Sequence, residues 1–259
     1  MLNYESNATP SVTTQERTTT NRLLSSLPLD EYARVAPLLR TVSLAARQVL
    51  HKQGAPISNV YFPGDGACAL VKTMDDGRTT EIATVGSEGI IGTSVFFGQH
   101  ESSCDVVVQL PSETAQVMAA DAFRSEMARR GAFYNLVIRY NQGLMTQLMQ
   151  ITACNGLHSV EKRCCRWLLT THDRIGRDEF PLTQEFLSTM LGVRRPTVTL
   201  VATALQQQGL ISYRRGHVTI VDRKRLEAAA CECYATVKAS FARLLPELQA
   251  AAPHTARLA

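Results

Sequence analysis

No apolar run in this chain approaches the roughly 18–20 residues needed to cross a bilayer, and the N-terminus has no apolar h-region of a secretory signal. A membrane partner is therefore not expected, and a cytoplasmic protein is. Gly-x-Ser-x-Gly, His-Glu-x-x-His, P-loop and Cys-x-x-Cys patterns are all missing. Gly92-Thr93-Ser94-Val95 begins like a nucleophile elbow but ends in Phe96. No catalytic residue is assigned, and an enzyme is not expected. Lys and Arg are absent from Thr79 to Phe123, which leaves a buried anion in that stretch without a local counter-charge. The seven cysteines are odd in number and scattered, so they fit free thiols in a reducing compartment better than a disulfide framework. Cys164-Cys165 and Cys231-x-Cys233 lack zinc-ligand spacing. No metal site is expected, and Cys164 falls on the core face of its helix. His158 and His172 read as exposed helix residues.

The chain's 259 residues, 45% of them hydrophobic, suffice for one large or two ordinary domains. Its charge is unevenly spread. From His158 to Arg225 there are twelve Lys/Arg against six Asp/Glu, so this segment carries +6 and the remainder −2 of the total of +4. A basic segment suits a phosphate-bearing partner. Residues 1–19 are rich in Ser, Thr and Asn and read as a disordered tail. A short helical stretch follows, with Leu23, Leu24, Leu27, Tyr32 and Val35 as apolar positions. From about Ser43 to Ala120, short β-rich runs alternate with turns: 60–62, 67–73, 79–85, 105–110 and 113–119. This spacing predicts a sandwich or barrel, and Asp75-Asp76-Gly77 predicts a hairpin turn. Helix is expected from Asp121 to Cys154, with a break at Asn155-Gly156. Val137, Asn141, Leu144, Leu148 and Ile151 recur at steps of 4, 3, 4 and 3. They form a seam for a second helix, or a face packed on the chain's own β domain. Another helix, capped by Ser159, follows.

The most informative stretch runs from Leu182 to Val221. Thr183 can cap a helix that Gly192 closes. A second helix begins at once with Pro196 in its first turn, and Val198, Val201, Ala202 and Leu205 form its core face. Two helices joined by a tight glycine turn make a helix-turn-helix. On the polar side of the second helix, Arg195, Thr199, Thr203 and Gln206 group together with no acidic residue among them. Such a helix fits the major groove of DNA, where an arginine can bond guanine O6 and N7. Thr197 and Thr199 suit phosphate oxygens at the helix N-terminus. Arg194 adds charge there. Beyond Gly209, two β runs flank Arg214-Arg215-Gly216-His217, a hairpin with a basic tip whose cations suit the phosphate backbone. Double-stranded DNA is the expected partner. A ligand-sensing module without DNA function is the alternative, but it would not need the basic helix-turn-helix.

Over residues 20–225 the chain resembles the catabolite activator/FNR (Crp/Fnr) family of bacterial transcription regulators. The match is most specific from Thr183 through Leu205, with Leu191-Gly192-Val193 and Arg195-x-Thr197-Val198. The resemblance implies an α+β chain. It would have a cyclic-nucleotide-binding-like β-roll (jelly roll) over 20–130, a dimerisation helix over 131–155 and a winged helix-turn-helix over 156–225. A helical extension over 226–259 has no assigned role. The resemblance further implies a homodimer working with RNA polymerase, Arg195 as the guanine-reading residue and Thr197 as a phosphate contact. Pro196 and Leu200 stand where the family's best-known member has a Glu and an Arg, so a different operator is expected. The effector pocket implied by the resemblance comprises Gly92, Thr93, Ser102 and Ser103, with Arg139 on the long helix as the one arginine within reach. Without the usual arginine, conventional cyclic AMP binding is not expected. The first cysteine is Cys68, so no N-terminal iron–sulfur cluster is expected either.

Overall fold

The computed structural model describes residues 18–250. The expected tail over 1–19 lies outside the described residues except for Thr18 and Thr19, and so does the end of the helical extension. Two short helices come first, α1 (Arg22–Ser25) and α2 (Leu29–Val35). Asn21 caps α1 by accepting from the Leu24 amide at 3.1 Å, and its Nδ2 donates to the carbonyls of Pro63 and Gly89 at 2.9 and 3.0 Å. This fully partnered buried amide fixes the helix to the β domain.

Seven strands follow: β1 (Arg40–Leu44), β2 (Val49–His51), β3 (Asn59–Phe62), β4 (Ala67–Thr73), β5 (Thr79–Val85), β6 (Asp105–Leu110) and β7 (Ser112–Ala119). They form two antiparallel sheets in the orders β1-β7-β3 and β2-β6-β4-β5. The five predicted runs are all strands. Gly77, at φ +80°, makes the β4–β5 turn. Val60, Phe62, Val106, Val108 and Met118 fill the space between the sheets. Helix α3 (Ala120–Ala128) covers one end, and Phe123 meets Phe133 edge-on at 5.7 Å.

Helix α4 (Ala132–Leu157) is longer than expected. Asn155-Gly156 does not break it. The buried side chains of Ile151 and Cys154 anchor the last turns, which offsets the roughly 1 kcal/mol that a helical glycine costs. The helix stops at His158 because Ser159 caps the next one, α5 (Val160–Ile175), by accepting from Lys162 N at 3.4 Å. Then come β8 (Glu179–Pro181), α6 (Gln184–Leu191), α7 (Arg195–Gln207), β9 (Ile211–Arg214) and β10 (His217–Ile220), with the three strands ordered β8-β10-β9. Helices α8 (Arg223–Ala229), α9 (Cys233–Leu244) and α10 (Glu247–Ala250) end the described chain. Helix α9 turns back along α4, with Phe241 against Gly143. Leu245 and Leu248 join the core of the β domain.

The C-terminal domain is docked on the outer face of the second sheet. Trp167, Leu168, Leu187 and Leu205 share one core with Ala67, Ala69, Val71 and Leu110 of the strands. Burial on both faces explains why β4 reads as a continuous apolar run rather than an alternating one. At the centre of the contact, Trp167 Nε1 donates to Glu81 Oε2 at 3.1 Å and Thr84 Oγ1 donates to Glu81 Oε1 at 2.7 Å. Arg174 reaches across to Glu88 at 2.8 Å and to the Thr84 carbonyl at 2.8 Å. A cavity of about 520 Å³ lies beside this contact, and Arg22, Arg166, Arg174 and Lys238 are among its lining residues.

Burial pushes the Glu81 carboxyl above the ordinary carboxylate range, outweighing the hydrogen bonds from Thr84 and Trp167 and the nearby arginines. A carboxyl raised on folding favours the folded form most below its unfolded pKa. That contribution is lost as pH rises through the folded value. Glu81→Gln keeps the volume and an acceptor for Trp167. Thermal unfolding of this variant, followed from mildly acidic to neutral pH, should lose most of the decline seen in the unaltered chain and give a higher melting temperature at neutral pH.

Candidate nucleic-acid interface

The helix-turn-helix forms as its local chemistry dictates. Thr183 Oγ1 accepts from Phe186 N at 3.1 Å and starts α6. Gly192, at φ +63°, ends it in the left-handed region that glycine adopts without strain. The Arg163 guanidinium donates to the Leu191 carbonyl and pins the turn from behind. Leu187, Met190 and Leu191 of α6 and Val198, Ala202 and Leu205 of α7 are buried, with Val201 half-buried. The opposite side of α7 is open: Arg194, Arg195, Pro196, Thr199, Leu200, Thr203 and Gln206 are exposed, and Thr197 is half-buried. Among the described residues, no ion pair engages Arg194, Arg195, Arg214 or Arg215. Four uncompensated guanidinium groups on one module make a strongly positive surface.

Three expected contacts are partly committed within the chain. The Thr199 hydroxyl donates to Gln184 Oε1 at 2.9 Å, and Thr203 donates to the Thr199 carbonyl at 2.8 Å. Gln206 Oε1 accepts from Tyr213 N at 2.8 Å, so this side chain ties the helix to the wing. Tyr213 Oη in turn donates to the Leu182 carbonyl at 2.6 Å. In the wing, Arg214 pairs with His217 and Ile211 with Ile220. Arg215 and Gly216 form the two-residue loop, at φ +47° and +78°. Both central residues have positive φ, as a primed hairpin turn requires. Arg214, Arg215 and His217 are exposed at this tip.

A model of the Crp-like helix-turn-helix domain matches residues 162–229, and a model of the cyclic nucleotide-binding domain matches residues 41–130. The chain belongs to the Crp/Fnr family. It is a transcription regulator of that type, with a helix-turn-helix DNA-binding domain. The matched helix-turn-helix also sets aside a sensing module without DNA function. The nitrogen fixation regulation protein FixK of Bradyrhizobium diazoefficiens is 23% identical over 221 residues, covering 82% of this chain and 90% of that protein. Among solved structures, FixK2 of Bradyrhizobium japonicum shares the fold with a TM-score of 0.64 at 14% identity, over 74% of this chain and 98% of that one. The c-di-GMP-responsive global regulator CLP of Xanthomonas campestris has a TM-score of 0.63 at 15% identity, over 75% of this chain and 100% of that one.

The β-roll departs from the expected pocket of a Crp/Fnr sensor. Gly92 sits at φ +89°, and His51 Cε1 lies 2.8 Å from where a Cβ would stand. His51 is bound to the Asn59 carbonyl at 2.9 Å, and burial pushes its imidazole below the ordinary range. Thr93 is buried and donates to Asn141 Oδ1 at 2.7 Å. Ser102 is buried with its hydroxyl on the Cys104 carbonyl at 2.6 Å, while Lys72 reaches the carbonyl of the exposed Ser103 at 2.8 Å. Arg139 does not enter the β-roll. It lies on the side of α4 facing the C-terminal helices, where Glu247 and the Leu244 carbonyl engage it.

The seam on α4 also needs correction. Val137 is fully buried in the β-roll core, and Ile151 is buried within the chain. Asn141 is spent on Thr93 and, through Nδ2, on the Val137 carbonyl at 2.8 Å. Leu144 and Leu148 are half-buried. The apolar face left open lies one position later, at Met145 and Met149, which are 59% and 65% exposed. The 3.5-residue period marks a packing face, and β5 and α9 of the same chain occupy part of it. The histidines are not the exposed residues expected. Asp178 holds the His172 Nε2 at 2.7 Å, and the His158 side chain is only 18% exposed. The sequence reading also missed a gathering of Cys154, His158, Cys231 and Cys233. Its local signals were the Cys231-x-Cys233 pair, set aside for lacking zinc-ligand spacing, and Cys154 and His158 one helical turn apart.

Arg195→Ala removes the guanidinium at the front of the open face. Specific affinity, measured by titrating protein onto its own operator, should fall by about 1–3 kcal/mol, with much less change on unrelated DNA.

Proposed function

We propose that this Crp/Fnr regulator acts in the cytoplasm as a homodimer, not as an enzyme, and reads a near-palindromic operator with two copies of α7. The observation that carries the reading is the open, acid-free face of α7 around Arg195, set against the buried Val198 and Leu205. Recognition helices of a two-fold dimer enter successive major grooves about 34 Å apart. Arg195 reads guanine. Thr197 and Arg194, together with Thr183 at the start of α6, hold the phosphates beside it. Leu200, 73% exposed on the same face, cannot hydrogen-bond a base but suits a thymine methyl. The operator would therefore pair a guanine contact with an apolar one. RNA polymerase is the further partner that this reading implies.

The sensor works without conventional cyclic AMP binding. A cyclic phosphate needs a buried cation, and Glu247 engages Arg139 instead. No iron–sulfur cluster is needed. The dimer forms along α4 through Met145 and Met149, which stand one turn apart and uncovered. Replacing both with Glu should convert the dimer to monomer in sedimentation and lower operator affinity in parallel. A variant that stayed dimeric would place the seam elsewhere.

The wing has a separable role. Arg214→Ala and Arg215→Ala should weaken binding to operator and to unrelated DNA alike. Each should also lower the slope of log affinity against log salt by about one phosphate contact, as read from gel shifts over a salt series.

A further inference from the structure

We propose that Cys154, His158, Cys231 and Cys233 form a tetrahedral site for one zinc-class divalent ion, clamping the end of α4 to the connection between α8 and α9. The four ligand atoms lie within 4.8 Å of one another. Cys154 Sγ is 3.6 Å from Cys231 Sγ, and Cys233 Sγ is 3.5 Å from His158 Nδ1. Zinc bonds of about 2.3 Å to sulfur and 2.0–2.1 Å to nitrogen give tetrahedral edges of about 3.8 Å between sulfurs and about 3.6 Å from sulfur to nitrogen. The measured separations match a single ion. They leave no room for an iron–sulfur cluster, whose inorganic core would hold the sulfurs farther apart. Three thiolates and one imidazole are also the donor set that a borderline-soft ion prefers.

The surroundings fit the same ion. His158 offers Nδ1 to the site while Nε2 lies 3.2 Å from Glu232 Oε1, the carboxylate–imidazole arrangement that fixes a metal-ligating tautomer. Gln150 Nε2 donates to Cys233 Sγ at 3.1 Å, as outer-shell donors do to thiolates. Arg163 and Arg166 place positive charge beside Cys154, which suits a site with three thiolates. The bland alternative is a small apolar core. Yet the buried cluster contains only Cys154, Cys231 and Cys233, and three thiols by themselves bury too little surface to explain their meeting. The placement has a consequence as well. His158 and Ser159 are the whole link between α4 and α5, and an ion there ties that link to the C-terminal helices.

The test is a titration of the full-length, fully reduced chain with Co²⁺, followed by displacement with Zn²⁺. One equivalent per chain should give the intense visible bands of tetrahedral thiolate-bound cobalt, and Zn²⁺ should erase them. His158→Ala and Cys231→Ser should abolish the bands, while Cys104→Ser, in the β-roll, should keep them. Zn²⁺ should raise the melting temperature of the unaltered chain. The proposal is overturned if the reduced chain takes up no Co²⁺, if it gives only the pale spectrum of octahedral cobalt, or if Cys231→Ser binds as the unaltered chain does. The titration of the unaltered chain decides the question even if a variant fails to fold.

Discussion

Helix α4 has to satisfy several neighbours at once, and the rest of the architecture follows from how its circumference is shared. Phe133, Leu136, Val137 and Tyr140 go into the β-roll. Gly143 gives up its side chain so that Phe241 of α9 can approach. Gln147 donates to the Thr84 carbonyl at the edge of β5. Only what is left, centred on Met145 and Met149, is free for another molecule. The helix is therefore not a spacer between a sensor and a DNA reader. It is the element on which both domains and the C-terminal helices are mounted.

The DNA-facing surface depends on a sharper contrast. Within α7, Val198, Ala202 and Leu205 are buried while Arg195, Thr199 and Thr203 are exposed. The helix is held from behind by apolar contacts and from the side by Gln206 to the wing. The side chains proposed to meet DNA are thus carried on a support fixed before binding, which limits the ordering entropy lost on association.

How much of this was legible in the sequence varied with the range of the interactions. The helix-turn-helix was readable because its determinants are local: a Thr183 cap, a Gly192 stop, a Pro196 first turn and a 3.6-residue apolar period. Five of the seven β-roll strands were readable for the same reason, as short β-rich runs bounded by turn residues, whereas β1 and β2 were not. What escaped was set by contacts between distant segments. Nothing near Arg139 announces Glu247, and nothing near Val137 says whether its face meets a second chain or its own sheet. Cys154 and Cys231 are 77 residues apart, so a search for ligand spacing along the chain passes over them. Thr93 and Asn141 likewise look unrelated until the fold brings them to 2.7 Å.

The return of the C-terminal helices bears on how the protein comes to be made. Leu245 and Leu248 are part of the hydrophobic interior that begins with Leu23 and Leu24. Domains generally fold in order of synthesis as they leave the ribosome, but this N-terminal one is finished by almost the last described residues. The nascent β-roll must wait, with its interior incompletely sealed, until the entire DNA reader has been translated. Its first and last described helices then close the same core.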